Sequence, residues 1–444
     1  MRKAVRIGAA AVLAVALFIG AGIGLHRSTD QGSVAGSPAG APSADTLLGP
    51  VVGGSLEQTI EDLQTRLRTL PTDWRSFASL GLAYVQQARV SGDPSFYPKA
   101  EGVLRTSIEL HGQDNFEAMV GMAALSAARH DFADALAWGL KARAINPYNG
   151  NVYGVIGDAQ VELGRYEDAF RTFQRMVDTL PGVASYARVS YARELKGDIA
   201  GAIAAMEAAR DIAGTPADAA WASYQLGELH LGQGDLAAAR AAFRRGTELD
   251  ADYVPPLAGL AKVAWAQGDP DRAIALYSDV VGRYPLPEYV IALGDLYEAT
   301  GRSDEAARQY ALVHVEEQLF SSNGVNIDLE LALFDADHGD PRAALRAARG
   351  EWARRQSVHV ADAYAWALYA NGRYEEAAVM SRKAMVLGYR NALFAFHAGM
   401  IQLGLGDRAG ARLHLSDALA INPYFSIRWA PIARERLATL GGSA

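Results

Sequence analysis

The sequence contains no cysteine in 444 residues. That excludes disulfide staples, thiolate zinc sites, iron–sulfur clusters, cysteine nucleophiles and a lipid-bearing cysteine. Lysine is nearly as scarce: Lys3, Lys99, Lys141, Lys196, Lys262 and Lys383 stand against 36 arginines. This points to genome composition rather than to function. The 42 basic and 50 acidic residues leave a formal charge of −8, with no basic excess to neutralise a phosphate backbone. Charged residues make up only 21% of the chain, whereas half of it is apolar. A chain of that composition can bury a core, which excludes disorder throughout. Its length suits roughly two to four ordinary domains or one long repeat array. Catalytic signatures are missing as well. There is no G-x-x-x-x-G-K-[ST] phosphate loop, no H-E-x-x-H and no G-x-S-x-G elbow, and each of those chemistries needs its spacing.

Only one long apolar run exists. Ile7–Leu25 carries no charge over nineteen residues, behind Arg2, Lys3 and Arg6 and ahead of His26 and Arg27. As a helix it would span about 28 Å, close to a bilayer core. Positive charge on its leading side holds that end in the cytoplasm and sends the remainder across. Residues 1–27 therefore read as a retained signal anchor or a cleaved signal peptide. The soluble body is then anchored to the membrane on its extracytoplasmic side, or secreted if the leader is cleaved. Residues 28–54 are rich in Gly, Ser, Ala and Pro and read as a flexible linker, unable to offset their ordering entropy by burial.

What fills the rest is a recurring phrase. It reads LGRYEDA at 163–169, KGDIAGA at 196–202, QGDLAAA at 233–239 and QGDPDRA at 267–273. It continues as TGRSDEA at 300–306, HGDPRAA at 338–344, NGRYEEA at 371–377 and LGDRAGA at 405–411. Its closing alanines are spaced 33, 37, 34, 33, 38, 33 and 34 residues apart. Ala135 and Ala100 extend the series backwards, with His130 where glycine usually stands. The two longest gaps place insertions near 213–218 and 321–325, and a third, Ser91–Pro98, lies in the first unit. Glycine in the phrase suits a tight turn, since it takes positive φ without strain. Asp198, Asp235, Asp269 and Asp340 follow such glycines and are expected to cap the next helix.

The pattern resembles the tetratricopeptide repeat family, a unit of two helices joined by a turn, with about ten repeats over residues 55–425. The family's small residue midway in the first helix matches Gly81, Gly157, Gly227, Gly294 and Gly399, and Ala123, Ala261, Ala332 and Ala365. Its closing proline matches Pro147, Pro181, Pro285 and Pro423. Ser190 departs from the pattern. The resemblance implies an all-α fold, an α-solenoid coiled into a right-handed superhelix. Leu56, Ile60, Leu63, Leu67 and Leu70 read as an amphipathic helix over the first repeat, opened by a capping box at Ser55–Gln58. Residues 426–444 read as a closing cap helix and tail, with Ile427, Ile432, Ala433 and Leu437 at helical spacing.

In such proteins the first helices line a concave face that takes a partner segment. Carried over residue by residue, the face holds Tyr191, Trp221, Tyr224, Trp265, Trp366, Tyr369, Phe396 and Met400. Its polar members are Asp158, Glu162, Glu194, Glu228, Asp295 and Glu298. Aromatics give large contact area at low entropy cost, and carboxylates favour a basic or amide-rich partner. The expected function is a non-enzymatic protein-interaction scaffold with an open trough, whose partner is another protein or peptide. Self-association is a further possibility, and no nucleic acid, metal or cofactor is implied. Stacked aromatics would also serve a carbohydrate. A third reading is an enzyme built on carboxylates and histidines of the last repeats, where Asp335, Asp337 and His338 cluster and His359, His397 and His414 follow in separate units. His314, Glu316 and Glu317 lie close in sequence without requiring convergence on a metal. Asp335–His338 falls at the end of a first helix, where polar residues are expected to face water.

Overall fold

The computed structural model describes residues 56–441; the expected anchor, the linker, Ser55 and the last three residues lie outside them. Twenty-two helices and no strand occur among the described residues. They fall into two compact units.

Unit 1 contains residues 56–160, 166–185 and 319–326 of the described chain. It starts with α1 (Leu56–Thr69), followed by two hairpins: α2 (Trp74–Ser91) with α3 (Phe96–Leu110), and α4 (Phe116–Ala128) with α5 (Phe132–Ile145). α6 (Gly150–Glu162) and α7 (Tyr166–Thr179) form the next hairpin, and the last residues of α6 belong to unit 2. The first insertion is a lengthened α2, stopped at Gly92 in the left-handed region. At the α4–α5 turn His130 adopts φ +62° in the usual place of glycine. Its Nδ1 lies 2.6 Å from the carbonyl oxygen of Asn326, so the third insertion rests against this turn.

Unit 2 holds the remaining hairpins. They are α8 (Val183–Leu195) with α9 (Ile199–Asp211), α10 (Pro216–Gly232) with α11 (Leu236–Leu249), and α12 (Pro255–Ala266) with α13 (Pro270–Arg283). After them come α14 (Pro287–Ala299) with α15 (Ser303–Ser322), and α16 (Asp328–His338) with α17 (Pro341–Arg354). α18 (Val358–Ala370) with α19 (Tyr374–Ala384), α20 (Ala392–Gly404) with α21 (Arg408–Ile421), and the single α22 (Trp429–Thr439) complete it. The other two insertions are helix extensions: α10 is lengthened at its start, where Thr215 caps it, and α15 runs to 20 residues.

Local chemistry explains the hairpins. Asp198, Asp235, Asp269 and Asp340 each accept the backbone N–H three residues on, as expected of caps. The closing prolines each follow their helix by two residues, where a missing N–H costs nothing. Small residues let the helices close up. A Cβ on Gly227 or Gly259 would lie within 2.4 Å of the Phe243 ring, which α11 inserts between α10 and α12. Ser190 is tolerated because its hydroxyl donates to the Ala202 carbonyl at 2.7 Å.

Unit 2 also bonds to itself at long range. Arg355 Nη1 reaches Glu162 Oε2 at 2.7 Å, 193 residues away. Tyr389 donates to Glu194 at 3.3 Å, 195 residues away, and Asn422 Nδ2 donates to the Leu231 carbonyl at 2.9 Å, 191 residues away. The near-constant offset is about five and a half repeats of 34 residues. The turns of the early hairpins therefore sit on the turns of the late ones. Here turn glycines have two duties. Gly164 and Gly197 have φ +72° and +74°, and a Cβ on them would meet the carbonyl oxygens of Gln356 and Gly388 at 2.7 and 2.5 Å. Gly372 shares the conformation (φ +70°) but would meet nothing within 4 Å.

Both Gly197→Ala and Gly372→Ala carry the left-handed strain of roughly 1–2 kcal/mol. Only Gly197→Ala adds a collision, of about 1–3 kcal/mol for overpacking. Urea unfolding should show the larger fall in midpoint for Gly197→Ala. Equal losses would mean that the turn contact contributes nothing.

Candidate functional site

Of the fourteen face residues, Asp158 lies in unit 1 and is buried. The others lie in unit 2. An open trough does not hold along their whole length, because Glu162, Tyr191, Tyr224, Trp366, Phe396 and Met400 are buried. The long-range closure is the cause at one end. Glu162 is fully buried against Arg355, which also bonds Glu351. Burial pushes the Glu162 carboxyl up even with Arg355 beside it. Burial also disfavours charge on Arg355, but Glu162, Glu351 and Glu330 outweigh it and hold the guanidinium more firmly protonated than usual. Tyr191 stacks on His359 at 6.5 Å, and Tyr224 meets Tyr253 edge-on at 6.1 Å.

The remaining positions keep a free side. Trp221, Glu194, Glu228, Trp265, Asp295 and Tyr369 are half-buried, and Glu298 is exposed. Lys262 bonds Glu228 at 2.9 Å. It stands 34 residues after Glu228, at the same place in the next repeat, so its position on the face was readable from the period.

Toward the end of unit 2 polar groups do converge, contrary to the expectation that Asp337 and His338 face water. Asp337 accepts from the Trp366 and Trp429 indoles at 2.6 and 3.1 Å. Burial pushes its carboxyl up, and the two indoles counter this in part. Trp366 lies between Tyr369 (4.7 Å) and His397 (4.1 Å), both near parallel to it. His397 bonds Asp362 at 2.9 Å with both side chains buried. That pair lies in the core under Trp366, where no substrate reaches it.

Asp295, Glu298 and His338 each place one possible metal-ligand atom within 4.8 Å of the others. Tyr310 donates to Asp295 at 2.8 Å and to Glu298 at 3.1 Å, and Arg428 donates to Glu298 at 2.7 Å. The two ring nitrogens of His338 both face acceptors, the Phe334 carbonyl at 2.9 Å and Asp295 at 3.0 Å. Such an imidazole is doubly protonated and offers no lone pair to an ion. Burial opposes that charge, but the Asp295 hydrogen bond outweighs it and holds the His338 pKa above its usual value.

Family models described as tetratricopeptide repeat match residues 222–253 and 259–321, which span α10–α11 and then α12 to the last turn of α15. The same hairpin recurs ten times among the described residues. The chain is a tetratricopeptide-repeat protein. No curated protein matches it. Among solved structures this repeat protein is similar to a tetratricopeptide repeat protein from Parabacteroides merdae, at 18% identity and TM-score 0.34 over 59% of this chain and 99% of that one. It is similar to the human IFIT1 dimer with PPP-AAAA at 14% identity and TM-score 0.47, over 75% of this chain and 78% of that one. For yeast Tom70 the values are 13% and 0.33, over 87% and 92%. All three scores fall under 0.5, so membership rests on the repeat models and the hairpins. Among the described residues no helix of the repeat protein is long and apolar enough to cross a membrane.

Buried carboxyls give the repeat protein a pH signature. Burial pushes Glu316 up to about 8 and Glu330 to about 7. A carboxyl with a raised folded pKa contributes stability that is complete below its unfolded value, 4.5, and is lost as pH rises through the folded value. His359 works oppositely: burial and the Arg355 charge lower it to about 4, so its share is lost as pH falls from 6.5 through 4. The melting temperature should fall between about pH 5 and 9, and Glu316→Gln should flatten that fall. Identical slopes in both proteins would show that Glu316 is not held neutral.

Proposed function

We propose that this chain is a non-enzymatic scaffold that binds a segment of another protein on the inner face of its tetratricopeptide array. In the same reading the run Ile7–Leu25 tethers it to a membrane or directs its export, and residues 28–54 give the array reach from that point. The body then works in the extracytoplasmic space, positioning a partner rather than transforming a substrate. One observation supports this most. Trp221, Glu228, Trp265 and Glu298, on the first helices α10, α12 and α14, keep side chains open to solvent while their neighbours pack. Solvent-facing indoles that recur at the repeat period, with carboxylates between them, suit recognition of an extended segment.

Crosslinking in membrane extract followed by affinity recovery tests the reading. Trp221→Ala with Trp265→Ala should cut partner recovery about tenfold or more, because buried tryptophan anchors at interfaces are worth 2 kcal/mol or above. Unchanged recovery from the folded double variant would place binding elsewhere.

A further inference from the structure

The link between α21 and α22 does more than join two helices. Closing an array requires α22 to cover only the last hairpin, yet residues 422–429 contact five first helices of unit 2. Asn422 donates to Leu231 on α10. Arg428 bonds Glu298 on α14, across 130 residues of sequence. Trp429 donates to Asp337 on α16, across 92 residues. Its ring meets Trp366 of α18 edge-on at 5.4 Å and lies over Phe396 of α20 at 5.5 Å, beside Phe425 at 5.5 Å from the same ring. An extended stretch of the chain thus lies along the face that the first helices present.

The chemistry of this contact is specific. The receiving side supplies carboxylates, Glu298 and Asp337, next to Asp295, together with the aromatic floor of Trp366 and Phe396. The arriving side supplies a guanidinium flanked by an indole and a benzyl ring. The Arg428–Glu298 pair lies in partial contact with water, with Glu298 49% exposed. An ion pair that water can reach is exchangeable, unlike the sealed Glu162–Arg355 pair.

We propose that Phe425–Trp429 is a resident strap on a binding surface, and that the partner is a protein segment carrying an arginine beside an aromatic residue, which competes with the strap for Glu298 and the Trp366–Phe396 floor. This rests on the scaffold reading above and names the class of partner. Because the strap is tethered, it acts at a high effective concentration and sets a threshold for the incoming segment.

A fluorescent peptide copying residues 424–430, Tyr-Phe-Ser-Ile-Arg-Trp-Ala, tests this by anisotropy with the full chain. Arg428→Ser weakens the strap without touching the floor, and should tighten peptide binding roughly threefold over the unsubstituted chain. A peptide with glutamate in place of its arginine should bind about tenfold more weakly. Glu298→Lys, on an exposed site that does not threaten folding, should reverse the preference between the two peptides. Equal affinity for both peptides, or no gain with Arg428→Ser, overturns the strap. If the peptides fail while Trp221→Ala with Trp265→Ala still abolishes partner recovery, the scaffold stands and the strap alone falls.

Discussion

The structure of unit 2 depends on a guanidinium taken out of water. Arg355 sits among Glu162, Glu351 and Glu330, at the point where an early hairpin turn meets a late one. Desolvating such a cluster is costly, and it is compensated only when the partners are close and numerous. It therefore contributes less to bulk stability than to specificity. It leaves one register, about five and a half repeats, in which every buried charge has a partner. Gln356 adds a backbone bond to the Glu162 carbonyl at 3.1 Å in the same register. The left-handed glycines at 164 and 197 remove the side chains that would hold the turns apart.

That closure divides the inner face into two kinds of surface. Where turns meet, side chains that a repeat protein could offer to a partner are used internally: Tyr191 packs on His359, and Glu194 accepts from Tyr389. Between those points Trp221, Glu228, Lys262 and Trp265 remain reachable. The strap from α21 to α22 covers the far end and gives it a cation and an indole. An array that could have been one continuous groove is thereby reduced to a central stretch and a covered end.

The hairpins were legible in the sequence because their causes are local. Turn glycine, capping aspartate, small helix residue and closing proline recur at a fixed spacing, and each acts within its own repeat. His130 shows the limit of such reading. It departs from glycine at one turn, and its reason is a contact with Asn326, 196 residues on. The face residues were legible as positions on a helix, whereas their exposure was not. Glu162 reads as a solvated acid until Arg355 is brought to it by the winding of the array. Asp337 reads as a surface carboxylate until two indoles, one of them from beyond the last repeat, are seen to donate to it. Sequence period fixes which way a side chain faces; the pitch of the array, the sum of many small packing angles, decides what it meets there.

Absence of cysteine makes closure directly measurable. Lys196 and Arg390 are exposed and flank the meeting of Gly197 with Gly388. Cysteines placed at these two positions alone would take spin labels without competition from any native thiol. Closed turns give one narrow distance population at the short end of the range that pulsed electron resonance reads. A broad population at long distance, unchanged by raising temperature toward unfolding, would show that the turns do not meet and that unit 2 is an open coil.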